Sequence, residues 1–296
     1  MTDISRRKFL QTVVGTIAGS TLLGTLAGCR RQQKASATTN IEGLVREAID
    51  GVGGMSSFVK KGQIVAVKPN ASFGQPPSVG ATTHPEVVAA VVKLALEAGA
   101  KEVRVLDHSL HEPHIAFMRN GIKQAVEDAG GVMPYLTNAS LFKEQAIAKG
   151  KMIKTHKVLS AYLEADVLIN VPVCKSHSAT RASVGMKNLM GLVWDRGIYH
   201  SSDIDECLVD LLSAIRPQLT VIDGTRVLLT NGPAGPGEVK AFNTVLASAD
   251  PVAADAKAIT LFLGDAGIHV SDIGYIGKAE ARGLGSTKGK VAVAHA

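Results

Sequence analysis

The densest group of reactive side chains lies between residues 170 and 191, in the run NVPVCKSH followed by ATR and MKNLMG. We interpret four of these side chains as candidate catalytic residues, namely Lys175, His177, Lys187 and Asn188. The lysines can bind an anion, the imidazole can act as an acid, a base or a metal ligand, and the amide can orient a ligand. This stretch is therefore where we first expect a catalytic or binding site.

Polar side chains also follow other apolar runs that are typical of buried strands. Lys68 and Asn70 follow the first such run, and Asp223 follows a later one. Because ligands bind beyond the carboxyl ends of the strands in an open parallel sheet, we expect these side chains to converge on one cleft. The predicted ligand-binding residues are Lys68, Asn70, His84, Arg181 and Asp223.

The lysines and arginines of these groups suit a carboxylate, a phosphate or another anionic small molecule as the partner. Arg196 is a further candidate cation. The alternative for each cation is ordinary solvated surface charge, and this alternative is weakest for Lys175, which we expect directly after a buried strand. His84 precedes Pro85, so its alternative role is a position at the start of a helix.

The segment DHSLHEPH, from Asp107 to His114, has a second notable spacing. Its histidines recur at every third residue, and neutral imidazole is a common ligand of zinc, iron, copper and nickel. The predicted metal ligands are His108, His111 and His177. The alternative is a group of solvated loop histidines, because the sequence defines no set of four ligands. The cofactor therefore stays unknown, with a transition metal as one possibility.

Several functional classes are disfavoured by the composition and by the motifs that the sequence lacks. None of the three cysteines belongs to a CxxC pair, which argues against an iron–sulfur cluster and a zinc ribbon. No apolar run leads into GxGxxG, and there is no Walker loop. The net charge of +6 is mild and only 4% of the residues are aromatic, so we expect no nucleic-acid partner.

The first residues have the layout of an export signal. A charged start with SRRKFL at residues 5–10 precedes a moderately apolar run, which closes with LAGC at Cys29. The paired arginines resemble a twin-arginine signal, and LAGC resembles the lipobox of bacterial lipoproteins. These resemblances imply passage through the twin-arginine translocation machinery, cleavage before Cys29 and a membrane anchor through lipid on its sulfur. The alternative, an uncleaved membrane helix, is disfavoured because glycine and threonine dilute the run.

This layout predicts a signal peptide over residues 1–28, a polar tether over residues 29–39 and a single domain over residues 40–296. A chain of 296 residues that is 46% hydrophobic can build a substantial core. We expect the mature protein in the cell envelope, lipid-anchored at a membrane that faces the periplasm or the exterior.

Short apolar runs alternate with amphipathic segments through the domain. The predicted strands cover residues 64–67, 103–106, 132–136, 166–171, 219–223, 242–247 and 290–293. The predicted helices cover residues 40–52, 84–99, 114–129, 158–164, 203–215 and 250–263. Continuous apolar strands are typical of a sheet that is covered on both faces, and alternation with helices favours parallel pairing. The sequence therefore predicts an α/β fold, a three-layer sandwich with a mostly parallel sheet.

Several motifs together carry a family resemblance. They are VKPN at 67–70, TTHP at 82–85, NVPVCKSH at 170–177, KNLMG at 187–191, DG at 223–224 and SADPVAAD at 248–255. With them, nearly everything after the tether resembles the bacterial and archaeal family known as domain of unknown function 362. Many members also carry a ferredoxin-like cluster domain, whose cysteines this chain lacks. The resemblance supports Lys175, His177, Lys187 and Asn188 as the core of a site and implies no reaction.

The hypothesis from the sequence is an exported, membrane-anchored protein with a polar cleft for an anionic small molecule or a metal-containing cofactor. Whether that cleft is enzymatic stays open. The alternatives are a lipoprotein that binds a ligand without turnover and an assembly factor that acts through an exposed apolar patch.

Overall fold

The computed structural model describes residues 39–296, so the predicted signal peptide and Cys29 lie outside the described residues. The strands of this range are, in chain order, β1 Ile64–Pro69, β2 Glu102–Val105, β3 Phe142–Ala146, β4 Thr155–Leu159, β5 Val167–Val171, β6 Val173–His177, β7 Arg181–Ser183, β8 Leu219–Leu228, β9 Val239–Ser248 and β10 Ala292–His295. The α-helices are α1 Ile41–Asp50, α2 Met55–Phe58, α3 Pro85–Glu97, α4 Pro113–Asn120, α5 Ile122–Asp128, α6 Ser160–Leu163, α7 Gly185–Asn188, α8 Gly197–Ser201, α9 Ile204–Ala214, α10 Pro251–Phe262 and α11 Gly274–Ala281. None of these helices combines the length and the apolarity needed to cross a membrane.

The central sheet is mostly parallel. Its main path runs in the order β10–β9–β8–β5–β1–β2. The strands β2, β1, β5 and β8 are parallel neighbours, whereas β9 and β10 add antiparallel pairs at one edge. Strand β6 pairs in parallel with β8, and β7 returns antiparallel to β6. The predicted α/β fold with a mostly parallel sheet is confirmed.

Two hydrophobic cores cover the two faces of this sheet. On one face, Val65 and Val67 of β1 pack with α1, α3 and α5. On the other face, Ala66 of β1 and Leu168 of β5 pack with α9, α10 and α11. Successive strand residues point to opposite faces, so one continuous apolar run contributes to both cores. This packing produces the three layers that the apolar runs predict.

Three predicted elements differ in detail from the structure. The helix predicted over residues 114–129 is divided into α4 and α5 by Gly121, whose φ of +71° is left-handed. The strand predicted over residues 132–136 is reduced to one parallel bridge between Val132 and Arg104. The helix predicted over residues 158–164 is shortened to α6, because β4 extends to Leu159 and pairs there with Phe142. Half of the residues in the hairpin β3–β4 are exposed, so it carries a weak apolar signal.

The run 170–177 contains two strands rather than one strand and its exit. Strand β5 ends at Val171, Pro172 follows, and β6 then joins β8 with Val173 opposite Asp223. Proline has no N–H for a sheet ladder, so a ladder commonly ends or shifts at this residue. Lys175 therefore lies inside β6, opposite Ser183 of β7, and the expectation that it directly follows a buried strand is wrong.

A buried carboxylate joins the sheet to the start of α3. Oδ2 of Asp223 accepts a hydrogen bond from the backbone N–H of His84 at 2.7 Å and pairs with Nη1 of Arg226 at 2.6 Å. Its Oδ1 accepts from the backbone N–H of Thr225 at 2.9 Å. Burial raises the pKa of Asp223, but Arg226 and these donors outweigh it, so the pKa lies below its usual value. This carboxylate is therefore ionised and fully occupied by the protein itself.

Replacement of this carboxylate should destabilise the whole domain. We expect Asp223→Ala to lower the free energy of unfolding by about 3–5 kcal/mol, because it leaves Arg226 buried without its partner. Urea denaturation at pH 7 measures the change. Asp265→Ala is the matched control, since this side chain is 92% exposed and lies 3.6 Å from Lys240. It should change stability by less than about 0.5 kcal/mol. Equal losses in the two variants would contradict a structural role for Asp223.

Candidate functional site

A cavity of about 370 Å³ lies beside the end of β1, strand β6 and helix α7. Its wall contains the predicted residues Asn70, Lys175, His177, Lys187 and Asn188. Arg196, the further candidate cation, lines the same cavity. The remaining lining residues are Ser72, Phe73, Leu110, Ser178, Ala179, Ser183, Met190, Gly191, His200 and Pro233. No aspartate or glutamate of the described residues lines it, so the wall is cationic and free of carboxylates.

Lys175 is 1% exposed and projects from β6 into this wall. Its Nζ donates to the carbonyl of Ala81 and lies 4.7 Å from the centre of the Phe73 ring. Burial lowers the pKa of Lys175 to about 7, with Asp107 opposing the shift and Lys187 reinforcing it. A carbonyl and an aromatic face stabilise the ammonium only in part, so an anion in the cavity would complete its environment.

Lys187 and Arg196 approach the cavity from α7 and from the residue before α8. The contact recorded for Nζ of Lys187 is the sulfur of Met190 at 3.4 Å, a weak acceptor. Burial lowers the pKa of Lys187 to about 8, and the neighbouring Arg196 adds to the shift. Arg196 donates to the carbonyls of Met190 and His108, which hold its guanidinium in place. Both cations are thus positioned by neutral groups and keep their charge available.

His177 presents a neutral imidazole to the same cavity. Its Nδ1 accepts a hydrogen bond from the backbone N–H of Ala179 at 3.0 Å, so Nε2 carries the proton of the neutral ring. Burial lowers the pKa of His177 to about 3, and Lys187 and Lys175 lower it further. The ring can therefore donate a hydrogen bond through Nε2 at neutral pH. The predicted roles as a metal ligand or as an acid–base group would require His177 to give up this tautomer or its hydrogen bond from Ala179.

A buried ion pair supports the cavity wall. Nζ of Lys68 lies 3.0 Å from Oδ1 of Asp107, and both side chains are buried. Asn188 joins this pair to the wall, because its Nδ2 donates to the carbonyl of Lys68 at 2.9 Å and to Oδ1 of Asn170 at 2.9 Å. Lys68 is thus a supporting residue that does not line the cavity, and the amide of Asn188 is held by protein groups.

Gly191 lies directly against this ion pair. A Cβ atom at this position would clash with Oδ1 of Asp107 and with Cε and Nζ of Lys68. The backbone of residue 191 can therefore line the cavity and close over the ion pair only with glycine. This contact explains the last residue of the KNLMG motif.

Helix α7, which carries Lys187 and Asn188, is held by a carboxylate from α10. Oδ1 of Asp255 accepts from the backbone N–H of Gly185 at 2.8 Å, and Oδ2 accepts from that of Met186 at 2.9 Å. Burial raises the pKa of Asp255 to about 7, although both donors oppose the shift. Asp255 therefore positions the two wall residues without lining the cavity itself.

Three of the predicted ligand-binding residues besides Lys68 do not line the cavity. Arg181 is exposed and its Nη2 lies 3.7 Å from Asp272. His84 precedes α3, where its Nδ1 accepts from the backbone N–H of Glu86 at 3.2 Å, as its alternative role as a helix start predicts. Asp223 is occupied by Arg226 and the backbone. Of that predicted set, Asn70 alone is in the wall.

The predicted metal ligands are not brought together. In residues 39–296, no group of three or more histidines, cysteines or acids is placed to hold a metal ion. Nδ1 of His108 lies 3.1 Å from the carbonyl of Val193, and Nδ1 of His111 accepts from the N–H of Gly74 at 3.1 Å. His108 lines a different cavity of about 650 Å³, whereas His177 lines the cationic one.

Several supporting residues are absent from the predicted set. Asp107, Asn170 and Asp255 hold the wall residues through the buried contacts described above. Asp255 falls in the first turns of the helix predicted over residues 250–263, where an acid is also typical of the surface. A signal did exist in SADPVAAD, where two acids share one short apolar helix start. The sequence could not show that the second acid is directed at another helix.

Removal of an unpaired buried charge should stabilise the ligand-free protein. We expect Lys187→Met to raise the free energy of unfolding by roughly 1–4 kcal/mol at pH 6. The gain should be smaller at pH 10, because the pKa of about 8 makes the folded wild type lose this charge while the unfolded chain still holds it. Urea denaturation at both pH values measures the difference. Lys257→Met, at an exposed position on α10, is the control and should show neither effect. Destabilisation by Lys187→Met at pH 6 would contradict this interpretation.

Comparison with known proteins identifies a relative by sequence and a protein of similar structure. The chain is 33% identical over 227 residues to the thylakoid-associated protein sll1697 of Synechocystis sp.. The match covers 71% of this chain and 66% of that protein, just under two thirds of its length. A structural similarity is found to the lactate racemase apoprotein of Thermoanaerobacterium thermosaccharolyticum, with a TM-score of 0.42 and 14% identity over 63% of this chain and 49% of that one.

A family model named "Domain of unknown function (DUF362)" matches residues 65–260. All residues that line the cationic cavity, from Asn70 to Pro233, fall within this match. Because the match also covers well over half of the sequence, the chain belongs to the DUF362 family.

Proposed function

We propose that this protein binds an anionic small molecule in the cationic cavity. The observation that carries the proposal is the convergence of Lys175, Lys187 and Arg196 on one cavity whose described wall has no carboxylate. Buried cations are costly unless they are paired, so a protein that retains Lys175 and Lys187 in this wall, beside the half-buried Arg196, gains by binding an anion there. The ligand's negative groups would replace the water that these cations lose on burial.

The roles of the wall residues follow from their contacts. Lys175 and Lys187 bind the anionic group, and Arg196 offers the N–H groups that the carbonyls of Met190 and His108 leave unused. His177 donates a hydrogen bond through Nε2. Asn188 connects the wall to the Lys68–Asp107 ion pair through its hydrogen bond to the carbonyl of Lys68.

Catalysis is an extension of this proposal. A lysine whose pKa is about 7 can both accept and donate a proton near neutral pH, and Lys175 is such a lysine. It lines the cavity, so a reacting group of the ligand would lie beside it. Turnover of the bound anion that is lost in Lys175→Met would make this protein an enzyme, and binding without turnover would make it a ligand-binding lipoprotein.

We further propose that the protein is exported by the twin-arginine route and anchored in the membrane through lipid on Cys29. The support is the SRRKFL and LAGC layout of residues 5–29. A relative that is named for its association with thylakoids is consistent with a membrane location. Metabolic labelling with a fatty-acid analogue, lost in Cys29→Ser, tests the anchor.

Sulfate is a suitable probe of the anion site because its charge does not change near neutral pH. We expect sulfate to raise the melting temperature of the full-length protein until the site is saturated. At one hundred times its Kd, sulfate should add about 2.7 kcal/mol to the free energy of unfolding. Lys187→Met should abolish the saturable part. Sulfate also stabilises proteins without binding, and Lys257→Met controls for that general effect. An equal sulfate response in all three proteins would overturn the proposed site.

Anion affinity should fall as the pH rises from 6 to 9. Lys175 and Lys187 have pKa values of about 7 and 8, so the empty site loses positive charge over this range, whereas His177 stays neutral throughout. Sulfate binding at pH 8 should therefore be accompanied by proton uptake. Calorimetry in buffers of different ionisation enthalpy measures the protons taken up. Affinity that is constant from pH 6 to 9 would show that these lysines do not contact the anion.

A further inference from the structure

The proposed function leaves open which anions fit the cavity. We propose that its ligand carries a hydroxyl group beside its anionic group, and that Asn70 recognises this hydroxyl. The inference rests on the proposed function, because the cations must first hold the anionic group. Asn70 is a buried residue of the wall, and its side-chain oxygen has no hydrogen-bond partner among the described residues.

Asn70 is held in place by its backbone. Its N–H donates to Oγ1 of Thr83 at 2.8 Å, and its carbonyl accepts from the N–H of Thr83 at 2.9 Å. Oγ1 of Thr83 in turn donates to the carbonyl of Val171 at 2.7 Å, so the residue after β1 is tied to the end of β5. These contacts leave the side chain of Asn70 free of any role in the fold, and it lines the cavity.

The side chain of Asn70 has an unsatisfied acceptor. The residue is 8% exposed, and its Oδ1 is buried with no hydrogen-bond partner among the described residues. A buried polar atom without a partner costs about 1–3 kcal/mol, which makes it a candidate contact for a ligand. Asn188 in the same wall is the contrasting case, since its amide bonds to Lys68 and Asn170. Of these two amides, only Asn70 can serve a ligand without breaking a protein contact.

The charge of the wall decides which donor Asn70 can accept from. Lys175, Lys187 and Arg196 repel an ammonium group, and no described carboxylate lines the cavity to offset them. A hydroxyl is neutral and donates one hydrogen bond, and its oxygen can also accept from Nε2 of His177 or from a lysine. A hydroxylated carboxylate or phosphate therefore satisfies both the cations and Asn70.

The size and the apolar part of the wall limit the ligand further. A volume of about 370 Å³ admits a small molecule of a few carbon atoms with room for water. Phe73, Leu110 and Met190 provide apolar contacts for a short carbon skeleton. The class that fits is a small hydroxy acid or the phosphate ester of a small polyol.

Three four-carbon dicarboxylates test this inference: succinate, malate, which adds one hydroxyl, and aspartate, which has an ammonium in its place. Calorimetry on the full-length protein at pH 6.5 and constant ionic strength gives the three Kd values. We expect malate to bind about tenfold or more tightly than succinate, because only malate satisfies Oδ1 of Asn70. Aspartate should bind more weakly than malate, since the cations repel its ammonium.

Asn70→Ala should reduce the malate-to-succinate ratio to about one. The substitution leaves the backbone contacts with Thr83 intact, so folding is expected to survive, and circular dichroism with the sulfate response checks this. Lys257→Met, at an exposed position on α10 away from this wall, is the control and should retain the tenfold preference.

The outcomes separate the two proposals. If sulfate fails to bind through Lys187, the proposed function is overturned and the inference with it. If sulfate binds but malate and succinate bind equally, or neither binds, the proposed function stands and the hydroxyl inference is wrong. A preference for malate that survives Asn70→Ala would assign the hydroxyl to another residue and overturn the role of Asn70.

Discussion

The buried ion pair between Lys68 and Asp107 determines the charge of the cavity beside it. Asp107, which follows β2, forms its ion pair with Lys68, so it makes no direct ion pair with Lys175 or Lys187. Gly191 closes over the pair, and Asn188 connects it to the wall. An Asp107 without this partner could offset one of the three positive charges of the wall. The proposed binding of an anion therefore depends on a salt bridge that does not line the cavity.

The lack of a carboxylate among the described residues of the wall favours the binding of an anion but lowers the stability of the empty protein. Lys175 and Lys187 are buried without a carboxylate, and burial lowers the pKa of each toward neutrality. The surrounding structure must therefore hold α7 firmly, and the buried Asp255 does so from α10 through the N–H groups of Gly185 and Met186. A site built in this way is costly when empty, and the proposed anion would stabilise it on binding.

Sequence reasoning succeeded where burial alone determines structure. The apolar run IVAV before Lys68 predicts a strand that is covered on both faces, and β1 is covered by one hydrophobic core on each face. The prediction was wrong where the position of a side chain depends on contacts with residues far away in the sequence. Pro172 ends one ladder and lets β6 pair with β8, which places Lys175 within a strand. The histidines of DHSLHEPH are spaced like metal ligands, but His108 stacks on Trp194 at 4.7 Å and His111 bonds to Gly74. Spacing cannot show which neighbour each ring finds.

The sequence by itself determined the α/β class, the family resemblance and the stretch in which Lys175, His177, Lys187 and Asn188 occur. These properties depend on local composition and on short-range order, which the chain carries wherever it folds. Only the tertiary structure decided that Asn70 and Arg196 join this group while His84, Arg181 and Asp223 do not. The tertiary structure also decided that Asp107 and Asp223 pair with Lys68 and Arg226 inside the protein. Both decisions depend on contacts between residues far apart in the chain, and such contacts determine which charges remain for a ligand.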